Sequence, residues 1–157
     1  MGHGARVLID RLRMRKDNNK ALGQHFLNNE EILDETMRLA EVSSQDHVVE
    51  IGPGPGVLTE RLLETGCGLT SIEIDPEVCE FLRDNFPNLE LVEGDALEVK
   101  WPKANKVVAN IPYQISSPLI DVITRTNSID YVVILVQEEF AERLVVEWES
   151  DRGSLGM

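Results

Sequence analysis

Cysteine is almost absent from this chain, with Cys67 and Cys79 the two in 157 residues. Two thiols provide neither a disulfide framework nor the four ligands of a structural zinc site, so both read as buried structural cysteines and no metal is expected. Long apolar runs are missing as well. None approaches the roughly 18 residues of a membrane-spanning helix. Near the N-terminus, "VLI" is cut off by Asp10 and Arg11 before it can form a secretory core. A cytoplasmic protein without a membrane partner is the expectation. Positive charge is scarce too, with 15 Lys and Arg against 28 Asp and Glu, a formal net charge of −13. The scarcity is uneven. Residues 1–20 carry six basic side chains against Asp10 and Asp17, a net of +4, which leaves 9 basic and 26 acidic side chains, −17, for the rest. An acidic body excludes broad nonspecific nucleic-acid binding, whereas a basic arm over residues 1–20 can neutralise phosphates locally. The plainer alternative for that arm is a solvated tail.

What is present is the make-up of a single soluble domain, 42% hydrophobic and 27% charged. From residue 30 onward the pattern alternates between helix and strand. "EEILDETMRLAEV" places Leu33, Met37 and Ala40 on one face at helical spacing, beside Ile32, Thr36 and Leu39. Five short apolar runs follow, bounded by turn residues: "HVVEIG", "LTSIEID", "LELVEGD", "KVVAN" and "YVVILVQ". Between them "VLTERLLETG" reads as a helix ending at Gly66, and "DPEVCEFLRDNF" as one capped by Asp75 with Pro76 in its first turn. "SSPLIDVITRT" repeats that device, which predicts a helix start at Ser117–Pro118, and "EEFAERLVVEW" reads as the last helix. Nearly continuous Val, Ile and Leu strands separated by helices predict a parallel sheet covered on both faces, with ligands at the carboxyl ends of its strands.

Those ends carry the chemistry. In "VVEIGPGPGVLTE", Gly52, Gly54 and Gly56 follow a strand and open a helix, where bare backbone lets a ligand come close. The spacing is G-x-G-x-G with Val57 next, which is not the G-x-G-x-x-G of nicotinamide and flavin sites, and no Gly-Lys-Ser/Thr of a phosphate loop follows. Glu73 ends the next strand, where a carboxylate can accept hydrogen bonds from both hydroxyls of a ribose; alternatively it is a solvated strand-end charge. Asp95 ends the third strand and can accept from the exocyclic amine of an adenine, with Ala96 leaving room for the ring. The fourth strand runs into "VVANIPYQISSP", where an amide, a proline and a tyrosine interrupt an apolar run. Four successive strand ends thus deliver Gly, Glu, Asp and Asn to one rim, a combination that points to S-adenosyl-L-methionine (SAM).

"EIGPGPG", "IEID", "GDAL" and "NIPY", preceded by "LGQHFLNN" and followed by "QEEFAERL", resemble the small-subunit ribosomal RNA adenine dimethyltransferase family, and "NIPYQISSP" is most similar to its archaeal and eukaryotic branch. The resemblance spans about residues 20–157. "NIPY" and "GQHFLNN" are shared with the erythromycin-resistance methyltransferases of large-subunit RNA. The resemblance implies a Rossmann-like α/β fold of the class I SAM-dependent type, a mostly parallel sheet with helices on both faces, over residues 21–157. It implies that His25 and Leu27, with Gln24 beside them, close over the methionine end of SAM, although His25 can also be read as a residue that simply packs. It assigns Gly52 and Gly54 to the loop beneath the cofactor, Glu73 to the ribose, Asp95 with Ala96 to the adenine, and Asn110 to the sulfonium and the target base. Family members continue past "GSLGM" with further strands and a small helical RNA-gripping domain. Here the C-terminal strands are expected to be missing and the fifth parallel strand to be left unpaired, an aggregation hazard.

The reaction implied is methyl transfer to the exocyclic amines of two adjacent adenosines near the 3′ end of small-subunit ribosomal RNA, on an assembling subunit, by a monomer. That nitrogen's lone pair is delocalised into the ring. Acceptance of its two hydrogens by the Asn110 side chain and the Ile111 carbonyl localises the pair, and a neutral amide does this without an unusual pKa. Pro112 fixes φ and helps present the preceding carbonyl. Tyr113 can stack on the extruded base, and Phe140 can clamp its other face. Two other readings stay open: methylation of a large-subunit adenosine, and a ribosome-assembly binding factor whose catalysis is lost.

Overall fold

The apolar runs become strands because each divides its side chains between two faces at a period of two. In the computed structural model, which describes residues 10–13, 30–126, 128–137 and 142–149, the chain runs β1 (Asp10–Arg13), α1 (Glu30–Ala40), β2 (His47–Ile51), α2 (Val57–Glu64), β3 (Gly68–Glu73), α3 (Pro76–Asn85), β4 (Glu90–Glu93), β5 (Lys106–Pro112), α4 (Tyr113–Thr124), β6 (Tyr131–Gln137) and β7 (Glu142–Glu149). Val48, Val108, Val133 and Leu135 pack on one side of the sheet with Ile32, Leu33 and Leu39 of α1 and Leu58 and Leu62 of α2. Their chain neighbours Val49, Val107, Ala109, Val132, Ile134 and Val136 pack on the other side with Leu119 and Ile123 of α4. Runs that look uniformly apolar in the sequence are thus two half-cores back to back.

The sheet has the order β1-β7-β6-β5-β2-β3-β4. Strands β2 to β6 are mutually parallel, β7 lies antiparallel to β6, and β1 antiparallel to β7. The chain moves outward from β2 through β3 to β4, then crosses to the other side of β2 as β5. The strand order therefore reverses between β2 and β5, and a crevice opens at their carboxyl ends.

At the opposite end of the sheet, Lys106 donates from Nζ to the carbonyls of Ala40 at 2.8 Å and Glu41 at 2.7 Å, closing the last turn of α1. Its ammonium also lies 3.2 Å from Asp46 Oδ2 and 5.3 Å from the centroid of the Tyr131 ring.

Three expectations are corrected. The segment expected as the last helix is a strand over Glu142–Glu149, so β6 is paired along both edges and is not left open. The adjacent Val145 and Val146 are β-branched, and the free edge of β6 supplies a ladder for them, which outweighs the helical spacing of "EEFAERL". The other edge of β7 carries β1, Asp10–Arg13. Finally, α4 begins at Tyr113 directly after β5, and Pro118 lies inside it. Ile115, Leu119 and Ile123 recur at helical spacing against the same core, extending the apolar stripe one turn upstream of Ser117. Pro112, with φ −63° and ψ 151°, makes the change of direction at the cap.

An internal proline removes one i→i−4 hydrogen bond. Pro118→Ala is accordingly expected to stabilise the chain by about 1–2 kcal/mol, seen as a Tm a few degrees higher. A helix starting at Ser117 would instead lose a favourable first-turn proline, and the Tm would stay level or fall.

Candidate active site at the carboxyl ends of the strands

Strand register brings the tips together. Ile51 is level with Ile72 on one side and Ala109 on the other, and Glu73 is level with Glu93. One residue further along, Gly52, Glu73 and Asn110 share a rim, and Asp95 follows just beyond β4. They line a cavity of about 410 Å³ together with Gly54, Ala96, Ile111 and Pro112, a size suited to a nucleoside-sized ligand.

Each wall has a local cause. Gly52 sits at φ +73°, and a Cβ placed there would lie 2.3 Å from the carbonyl oxygen of Asn110, so β2 and β5 approach this closely only without a side chain. Gly56, at φ +88°, begins α2, and a Cβ on it would meet the Phe86 ring at 2.5 Å. Glu73 is half-buried. Its Oε2 accepts from the Asp75 amide at 3.1 Å and its Oε1 from the Gly54 amide at 3.4 Å, so backbone on both sides steers the carboxylate. Asp95 Oδ1 accepts from the Leu97 amide at 2.9 Å, and the Trp101 indole donates to the Ala96 carbonyl at 2.8 Å, which braces this wall. Asn110 lines the cavity, and its Oδ1 is buried with no hydrogen-bond partner among the described residues. An orphaned acceptor of this kind costs about 1–3 kcal/mol until something donates to it. The residues present thus fit an adenosine-bearing ligand with an amine-bearing partner.

Of the residues singled out in the sequence, Gly52, Gly54, Glu73, Asp95, Ala96, Asn110, Ile111 and Pro112 line this one cavity. Tyr113 is placed as the first residue of α4, directly after the rim. Gln24, His25, Leu27 and Phe140 lie outside the described residues. Sequence reasoning missed the apolar members of the wall, Ile72, Ile74, Val78 and Ile115, because nothing separates a cavity-lining isoleucine from a core one in a string of letters. It also missed Glu50, whose signal was legible as a lone acid within the strand "HVVEI". Glu50 is 1% exposed, and its Oε1 accepts from Thr59 of α2 at 2.7 Å and from Ser71 of β3 at 2.8 Å. Burial pushes its carboxyl up to about 7, against the pull of those two hydroxyls and with the Glu73 charge adding to the rise. Among the described residues no group of three or more His, Cys, Asp and Glu is placed to hold a metal ion, and no helix is long and apolar enough to cross a membrane.

The order of the parallel strands and the ligand rim at the β2–β5 switch define a class I SAM-dependent methyltransferase fold. The chain belongs to the ribosomal RNA adenine dimethylase family, which it matches over residues 15–157. A relative from Thermococcus kodakarensis, named a probable ribosomal RNA small subunit methyltransferase A, is 45% identical over 131 residues, covering 82% of this chain and 47% of the relative. The chain thus spans about half the length of the curated relatives it matches. The crystal structure of a dimethyladenosine transferase from Plasmodium falciparum superposes with a TM-score of 0.68 at 28% identity, over 82% of this chain and 64% of that one. That of an RNA methyltransferase from Salinibacter ruber, solved with S-adenosyl-L-homocysteine, superposes with a TM-score of 0.64 at 19% identity, over 77% of this chain and 91% of the other.

The closest approach in the site yields a direct test. Gly52→Ala must push β2 away from β5 or break the register, and is expected to destabilise the chain by about 2–4 kcal/mol in urea unfolding while the cavity narrows. A variant as stable as the parent would mean that the two backbones do not meet there.

Proposed function

We propose that this chain carries the catalytic domain of a SAM-dependent methyltransferase that dimethylates the exocyclic amines of two adjacent adenosines near the 3′ end of small-subunit ribosomal RNA. The observation that carries the reading is the buried, unpartnered Asn110 Oδ1 on the rim shared with Gly52 and Glu73. Family membership and relatives named for the small-subunit RNA support the same substrate.

Glu73 is assigned to the ribose, because its two oxygens already turned by backbone amides keep lone pairs for a pair of hydroxyls. Asp95 is assigned to the adenine amine through Oδ2, since Oδ1 is engaged by Leu97. Gly52 and Gly54 let the ligand lie against backbone, and Gln24, His25 and Leu27 are assigned to its methionine end. When bound, SAM supplies a methyl group activated on a sulfonium. Asn110 Oδ1 and the Ile111 carbonyl then accept the two hydrogens of the target amine, drawing its lone pair out of conjugation and towards the donor. Pro112 holds that carbonyl in place, and Tyr113 and Phe140 are assigned to stack on the base. No side chain has to act as a base, since the alkylated amine is acidic enough to release its proton to water. Alignment supplies most of the acceleration.

Transfer of tritiated methyl from SAM into small-subunit particles tests this. Asn110→Ala is expected to lower the rate about 100-fold or more, and Glu73→Ala to weaken S-adenosylhomocysteine binding at least about tenfold in calorimetric titration. Undiminished labelling by the Asn110 variant would overturn its role, and label entering only large-subunit RNA would move the substrate to the other subunit.

A further inference from the structure

Glu50 is not part of the cavity wall, yet it is the charged-type side chain most deeply set beneath it. It stands two residues before Gly52. Through a single oxygen it gathers the hydroxyl of Thr59, in the first turn of α2, and that of Ser71, in the middle of β3. The loop from Gly52 to Gly56 is the chain's path between those anchors, so one carboxyl ties together the strand before the loop, the helix after it and the neighbouring strand. The second oxygen, Oε2, is buried without a hydrogen-bond partner among the described residues.

We propose that Glu50 is a positioning residue for the methyl-donor site: in its neutral form it straps α2 and β3 to β2 and so holds the glycine loop in the shape that receives the ligand, and its ionisation loosens that loop. The site it serves is the one assigned above, so the ligand half of the inference rests on that reading.

The electrostatics favour a neutral carboxyl. An ionised Glu50 would leave Oε2 as an unpaired buried charge, which is far more costly than an unpaired neutral oxygen. The titratable group that acts on it is Glu73 at the end of β3, whose negative charge opposes ionisation; Cys67, just before β3, is held in the thiol form by burial, with the Glu50 charge a lesser contribution. From α2 it meets the neutral Thr59, and from β5 it is level with Val108. None of these partners is a cation. The folded-state value lies above the ordinary 4.5, so the folded chain holds the extra proton. Stability from this group is therefore complete at low pH, declines as the pH rises from about 4.5 towards about 7, and is flat above that.

Two readouts on the whole chain test the strap. The first needs no ligand: amide hydrogen exchange over residues 52–60, each variant being compared with the parent at the same pH. Glu50→Gln, which keeps the shape and cannot ionise, is expected to exchange like the parent near pH 6 and about tenfold more slowly than it near pH 8. Ser71→Ala and Thr59→Val, each removing one hydroxyl, are expected to raise exchange in this loop above that of the remaining chain. The second readout is calorimetric titration with S-adenosylhomocysteine, for which the parent is expected to weaken about tenfold from pH 6 to pH 8 and Glu50→Gln to show no such change. A Gln variant that follows the parent's pH profile in both readouts, or hydroxyl variants whose loop exchanges at the parent's rate, would overturn the role of Glu50. If the parent binds no S-adenosylhomocysteine at any pH, the methyl-donor reading falls, while the exchange measurements still decide the strap.

Discussion

The structure depends on how closely two parallel strands can approach where their order reverses. Between β2 and β5 the backbone of Gly52 passes the Asn110 carbonyl at a separation that no Cβ could occupy. That contact brings the glycine loop against Asn110, a residue that also lines the cavity. Parallel register then brings Glu73, the last residue of β3, level with Glu93 of β4, and Asp95 completes the rim two residues beyond that strand.

The parallel half of the fold was legible because its signals are local and repeated. Asp75 before Pro76 read as a helix cap, and its side chain indeed accepts from the Glu77 amide at 2.9 Å. Five apolar runs bounded by turn residues became β2 to β6. The same local logic misplaced the start of α4, since Ser117-Pro118 is a good opening in isolation, whereas Ile115 lies over the core and draws the helix back to Tyr113. It also misread Glu142–Glu149, whose conformation answers to an available strand edge that no local window contains. For the site, glycines, acids and the amide stand out as unexpected letters at the ends of apolar runs. The isoleucines that complete the wall do not, and Glu50 was passed over as one more acid in an acid-rich chain.

Charge around the site is arranged unequally. Beside the rim, α3 and β4 present Glu77, Glu80, Asp84 and Glu93, with Arg83 donating to Glu93 at 3.0 Å. That flank repels phosphates, so the nucleic-acid substrate proposed above would be disfavoured on the β3–β4 side. The carboxylates lining the cavity, Glu73, Asp75 and Asp95, suit the positively charged donor proposed above, and among the described residues no cationic side chain lines the same space. The acidity of the body and the charge of the proposed donor are therefore compatible, even though the proposed substrate is a polyanion.

The distribution of the rim along the chain has a kinetic consequence. Its pieces come from near residues 52, 73, 95 and 110, and none of them faces another until β2, β3, β4 and β5 have zipped in parallel. Closing such distant segments is slow compared with forming a helix or a hairpin, and no stretch of local contacts assembles the pocket ahead of the sheet. The capacity to seat a ligand thus arrives last and all at once during folding, and a proteolytic fragment lacking any one of the four strands has no partial version of it.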